Sequence, residues 1–188
     1  MRQRLAELLS YMDATRGRLV ATASDINPAF AGIRPHTDAW SAEENVSHLA
    51  VVEEGVARLI VKSIEWAKTH GVGPETSDET IMSSLDQYLL TETTPKRKAP
   101  SMVTPASDQS VDDSLAALAS SRKRLKDALL SADGLDLCQV KHAHPGLGEI
   151  DMYQWALFVA QHEERHRKQI ERTMDEVTEL AAESAPIV

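Results

Sequence analysis

Residues 150–182 read IDMYQWALFVAQHEERHRKQIERTMDEVTELAA, with no glycine or proline anywhere in the run. At about 100° per residue, Trp155, Phe158, Val159, Ile170, Val177 and Leu180 fall on one apolar stripe. Asp151 is placed to cap this helix with Gln154 three residues on, and Ile150 to staple onto Trp155 across the first turn. His162 and His166 lie in the middle of the stripe, and Gln169 lies on it too. Two imidazoles and an amide at core positions must find partners, since an unsatisfied buried polar group costs roughly 1–3 kcal/mol. A helix this long buries such a stripe against other helices, so the stretch points to a bundle.

The rest of the chain supplies the partner helices. The first runs from about Arg2 to Ala23, with Leu5, Leu8, Leu9, Met12, Leu19 and Val20 on one face. Pro28, Gly32 and Pro35 break the pattern. Ser41 and Glu44 then form an S-x-x-E capping box, opening a second helix that runs to about Thr69, with Gly71 as its stop. A third covers about Val111 to Ala132, with Gly134 beyond it. The expected fold is therefore all-α, a four-helix bundle in a single domain over residues 1–188, with an irregular insertion or short extra helix over about 71–106. Ser77 to Leu90 fits that extra helix, with Ile81, Leu85, Tyr88 and Leu89 inward. Lys96-Arg97-Lys98 reads as a solvated loop tip, because nothing aromatic interleaves it. No segment with strand periodicity exceeds a few residues.

Composition narrows the function. The 188 residues carry 29 acidic and 20 basic side chains, a formal net charge of −9, which repels phosphate backbones and argues against nucleic acid as a partner. Cys138 is the only cysteine, so neither an internal disulfide nor a multi-cysteine zinc site can form. No run approaches the roughly 20 apolar residues that span a bilayer, and no apolar signal core follows Met1. A cytoplasmic protein with no membrane partner is expected.

His162 and His166, spaced i, i+4, present two nitrogen ligands on one face of a helix. His48, at the border of the second helix's apolar sector beside Val52 and Leu59, is the candidate third ligand, aimed into a partly open cleft. A single tetrahedral ion shared by three such nitrogens would set them about 3.3 Å apart. The alternative is three core histidines satisfied by carbonyls, by Glu44 or by one another. All-nitrogen ligation of a divalent metal admits zinc, nickel, iron or copper, with zinc or nickel expected first, and three protein ligands leave a position open for water or substrate. His162-Glu163-Glu164-Arg165-His166 also matches the H-E-x-x-H helix of zinc peptidases, with Glu163 as base. Gln169 and Arg172 stand where the extended peptidase motif needs glycine and histidine, and no strand pattern precedes the helix, so a peptidase is not expected.

Four further residues are candidates. Glu163 or Glu44 can support the ligands. Arg122, at the centre of the third helix's stripe, can hold an anionic substrate group, though pairing with Glu53 or Glu54 is the simpler role. His144, near His142 in the loop entering the fourth helix, can act as general acid or base, with a turn role beside Pro145 as the plainer reading. Cys138 lacks an activating neighbour, and His36 and His70 read as solvated.

Trp40-Ser41-Ala42-Glu43-Glu44, followed by Val46-Ser47-His48-Leu49, resembles the opening of helix two in the DinB-like (DNA-damage-inducible) four-helix bundles. His144-Pro145-Gly146-Leu147-Gly148 is similar to their H-P-x-x-G turn, and His162-Glu163-x-x-His166-x-x-Gln169-Ile170 to their final H-E-x-x-H-x-x-Q-I pattern. The resemblance implies a metal role for His48, His162 and His166. It also implies a small-molecule substrate, a homodimer, and transferase or isomerase chemistry with a low-molecular-weight thiol. The competing expectation is a non-catalytic dimeric scaffold or sensor that binds a metal or small ligand.

Overall fold

Three of the four long helices start where a side chain satisfies their free amides. The computed structural model describes residues 1–105 and 109–183. Its helices are α1 (Gln3–Ser24), α2 (Ala42–Thr69), α3 (Val111–Ser131) and α4 (Met152–Glu183). Ser41 Oγ accepts from Glu44 N at 3.2 Å, and Glu44 accepts from Ser41 N at 2.9 Å, completing the expected capping box of α2. Ser110 caps α3 through Asp113 N at 3.1 Å. Asp151 and Gln154 exchange hydrogen bonds of 2.9 and 3.1 Å at the start of α4. Gly71 and Gly134, with φ of +74° and +92°, follow α2 and α3 as their stops. Residue 106 of the insertion and residues 184–188 lie outside the described part of the chain.

The helices form the expected bundle. α2 packs against both α3 and α4, and α1 lies along α4. Leu5, Leu8, Met12, Ile60, Ile64, Leu125, Leu129, Leu157 and Ala160 fill its core. Val20 and Leu180, expected on the inward faces, are exposed at the ends of their stripes. No described helix is long and apolar enough to cross a membrane.

Two expectations need correction. Ser77–Leu90 is not a helix but a series of turns with one 3₁₀ turn, Asp86–Tyr88. Arg4, in the first turn of α1, captures its polar groups: Nε donates to the Glu79 carbonyl at 2.7 Å and Nη2 to Ser77 Oγ at 2.8 Å. A carbonyl committed to a distant guanidinium is lost to an internal helix ladder. Ile81 and Leu85 do point inward, but Leu89 sits at φ +48° and is exposed, and Leu90 is buried in its place. The second correction is a hairpin, β1 (Lys141–His144) paired antiparallel with β2 (Gly148–Asp151), where only a loop was expected. Gly148, at φ +76°, closes its three-residue turn in a conformation that side chains disfavour.

One buried cluster ties all four helices together. Arg16 of α1 meets Glu53 of α2 and Glu163 of α4 at 2.5 Å each. Arg122 of α3 meets the same two carboxylates at 2.8 and 3.1 Å and donates to the Met12 carbonyl at 2.5 Å. Two cations and two anions balance, and all four carboxylate oxygens accept from a guanidinium, which is the condition under which buried charge is tolerated. Removing Arg122 leaves two carboxylates competing for Arg16. Arg122→Ala should therefore cost about 3–5 kcal/mol in denaturant unfolding. Arg124→Ala, which breaks a half-exposed pair with Glu54, should cost under about 1 kcal/mol.

Candidate metal centre

α4 and α2 face each other at one level, and His162, His166 and His48 meet between them. His162 Nε2 and His166 Nε2 stand 3.1 Å apart. One ligand atom from each of the three histidines lies within 4.8 Å of the others. His48 and His166 are buried, and His162 is half-buried.

The ring nitrogens turned away from the cluster are partnered. His48 Nδ1 lies 2.6 Å from the Val103 carbonyl, and His166 Nδ1 lies 2.8 Å from Asn45 Oδ1. A carbonyl oxygen only accepts, so His48 carries its proton on Nδ1 and offers the Nε2 lone pair. Asn45 with its oxygen toward His166 imposes the same tautomer there. Burial, the largest influence, holds His48 below its ordinary pKa, and holds His162 and His166 well below theirs. For the latter two, the neighbouring histidines and Arg165 push in the same direction. Three neutral imidazoles with ligand atoms close together, two of them anchored through their outer nitrogens, are a donor set for a divalent cation, and the residues fit one.

Aromatic rings hold the cluster in place. Trp40 packs on His48 at 4.7 Å between ring centroids, and Phe158 stacks on His162 at 5.1 Å. The histidines line a cavity of about 730 Å³. Val52, Val56, Leu59 and Trp155 give it an apolar wall, and exposed Lys96, Arg97 and Arg172 stand at its rim. His144 lines it too, resting on Phe158 at 4.5 Å between ring centroids. Its Nδ1 accepts from Gly146 N at 3.1 Å, leaving Nε2 with the proton, and burial lowers its pKa.

The structure places other sequence candidates elsewhere. Glu163 and Arg122 belong to the four-charge cluster in the core and do not line the cavity. Glu163 is one residue from His162, so helix geometry rotates it about 100° away. Glu44 is taken by Arg34 and the α2 cap, so Asn45 supports His166 instead. His142 meets Ser63 at 3.1 Å. Cys138, its thiol pushed up to about 11 chiefly by burial, accepts from Arg4. It also approaches Glu75 and Asp136, but Arg4 binds Glu75 at 2.9 Å and neutralises that group. Sequence reasoning missed Asn45, the Val103 carbonyl and Arg165, and it left Lys96-Arg97-Lys98 as a loop tip rather than a cavity rim. For Asn45 a signal existed, since it precedes His48 by three residues and shares its helical face.

Fold and site together define a four-helix bundle with a three-histidine cluster, able to hold a metal, at the edge of a cavity. The chain belongs to the DinB superfamily, whose sequence model matches residues 11–170. Among solved structures it is similar to TT2238, described as a four-helix bundle protein, at 22% identity and a TM-score of 0.59. That match covers 89% of this chain and 98% of the other, and at this identity it speaks to the fold alone. No curated protein matches the sequence.

The depressed histidine pKa values carry a sign. The unfolded chain takes up protons below about 6.5, while the folded cluster resists them, so stability is full above that pH and declines below it. Metal-free protein should melt lower at pH 5.5 than at pH 7.5. Saturating zinc should raise the melting temperature at pH 7.5, and raise it less at pH 5.5. Asn45→Ala should weaken zinc binding by about 10–100-fold. Identical zinc-dependent melting of wild type and His166→Ala would contradict the assignment.

Proposed function

We propose that the protein is a metal-dependent transferase or isomerase that uses a low-molecular-weight thiol, or water, as the nucleophile toward a small electrophile. The observation that carries this reading is the 730 Å³ cavity opening directly onto the convergent face of His48, His162 and His166. A purely structural metal site is closed by a fourth protein ligand, and among the described residues no fourth histidine, cysteine or carboxylate completes this cluster. A divalent ion held there supplies Lewis acidity, lowering the pKa of a thiol or water beside it.

The chain's own residues do the rest. His48, His162 and His166 hold the ion, with the Val103 carbonyl and Asn45 fixing the tautomers of His48 and His166. Val52, Val56, Leu59 and Phe158 exclude water and receive an apolar substrate body. His144, with its proton on Nε2, is placed on the cavity wall to donate to a leaving or developing anion. The all-nitrogen donor set admits zinc, nickel, iron or copper, and zinc or nickel is the ion we propose. The superfamily includes mycothiol-dependent transferase-like enzymes, which supports a thiol as the second substrate.

Zinc- or nickel-loaded protein, offered several cellular thiols with a bromoalkyl reporter, should form the thioether and release bromide faster than free metal does. His48→Ala, His162→Ala and His166→Ala should each reduce that rate by about a hundredfold or more. Absence of turnover above free metal with every thiol would favour a metal-binding scaffold or sensor.

A further inference from the structure

Arg4, Arg122 and Arg165 are each 5% exposed. Arg4 is paired with Glu75, and Arg122 with Glu53 and Glu163. Arg165 has no carboxylate at ion-pair distance among the described residues. Its Nη2 donates to the Thr93 and Pro95 carbonyls at 3.2 and 3.0 Å, and its Nη1 is buried without a hydrogen-bond partner. A buried cation in that state is costly, because desolvation is not offset by an opposite charge. The like charges of Arg97 and Arg172 act on it as well. The acid that offsets them, Glu92, is half exposed and tied to Lys168 at 3.4 Å.

The place of this charge gives it a use. Arg165 lines the cavity, three residues after His162 and one before His166. Lys96, Arg97, Lys98 and Arg172 line it too. Among the described residues only two acids do, Asp38 and Glu176, and Glu176 is 3.8 Å from Arg172. In a chain with 29 acids against 20 bases, the cavity wall has the opposite sign to the whole. Two backbone carbonyls hold the guanidinium plane, leaving Nη1 with two protons to donate. Val52, Val56, Leu59 and Trp155 line the same cavity.

We infer that Arg165 is the anion-binding residue of the cavity, and that it takes the carboxylate of a small organic acid whose apolar body lies toward the three histidines. A charged fork with one nitrogen free suits a carboxylate, and the apolar wall suits hydrocarbon. That this acid is the electrophilic substrate rests on the proposed reaction. That the site binds it does not.

Calorimetry with 4-phenylbutyrate, 4-phenylbutanol and inorganic phosphate, on metal-free and zinc-loaded protein, separates the two claims. In metal-free protein the acid should bind about tenfold tighter than the alcohol, one charge-assisted hydrogen bond's worth. Added salt should reduce the difference. Arg165→Gln should bring the acid down to the alcohol's affinity, whereas Arg165→Lys should keep part of the preference. Changing Arg97 and Arg172 together to glutamine, at exposed positions, should weaken the acid by about two- to threefold. If Arg165→Gln fails to fold, this rim variant decides, and an unchanged preference in it overturns the inference. So does equal binding of acid and alcohol, or phosphate binding as tightly as the acid. A preference seen only with zinc, and surviving Arg165→Gln, places the anion on the metal and overturns the subsite while the metal reading stands. A preference in metal-free protein that binds no zinc upholds the subsite and removes the metal reading.

Discussion

Arg16, Glu53, Arg122 and Glu163 meet in the core, one side chain from each helix, and their mutual neutralisation constrains everything around them. A carboxylate buried at 2% side-chain exposure cannot turn toward solvent without abandoning two guanidinium partners. Glu163 therefore fixes the rotation of α4 about its own axis. With that phase set, His162 and His166 leave the core on the side that faces α2. Glu53 does the same for α2, bringing Asn45 and His48 to the facing surface. The histidine cluster is placed by charges that never touch the cavity.

This arrangement explains why the H-E-x-x-H string misleads. In a zinc peptidase the glutamate at this place in the string acts as the base. Here the same residue type, one step along the helix, belongs to the core. The spacing of the string is the same in both, and only the position of Arg16 and Arg122 shows which role Glu163 has.

The four helices were legible because their signals are local. Ser41 with Glu44 and Asp151 with Gln154 lie within one turn, and the 3.6-residue stripe repeats along each segment. His162 and His166 were legible for the same reason, and the border of the second helix's apolar sector offered His48 as the third ligand. The hairpin was not, since strands of four residues are too short for alternation to stand out. Nor was the irregular course of 77–90, which depends on Arg4 reaching across more than seventy positions to Glu79. Arg122 was correctly placed at the centre of its stripe, with Glu53 as partner, but its second partner needed the phase of α4. Arg165 carried no sequence signal because its meaning is an absence of counter-charge, which only packing reveals.

The insertion between α2 and α3 joins these levels. Its Val103 carbonyl fixes the tautomer of His48, its Thr93 and Pro95 carbonyls hold Arg165, and its basic triplet rims the cavity. Chemistry at the histidines and recognition at the arginine are thus both set by the stretch outside the regular bundle. The proposed chemistry turns on a metal ion held by three imidazoles. X-ray absorption at the zinc edge of loaded protein tests it most directly. The account expects three imidazoles with at least one further light ligand, at about 2.0–2.1 Å, and two imidazoles in His48→Ala. A spectrum with fewer than two imidazoles, or one unchanged by His48→Ala, would contradict it.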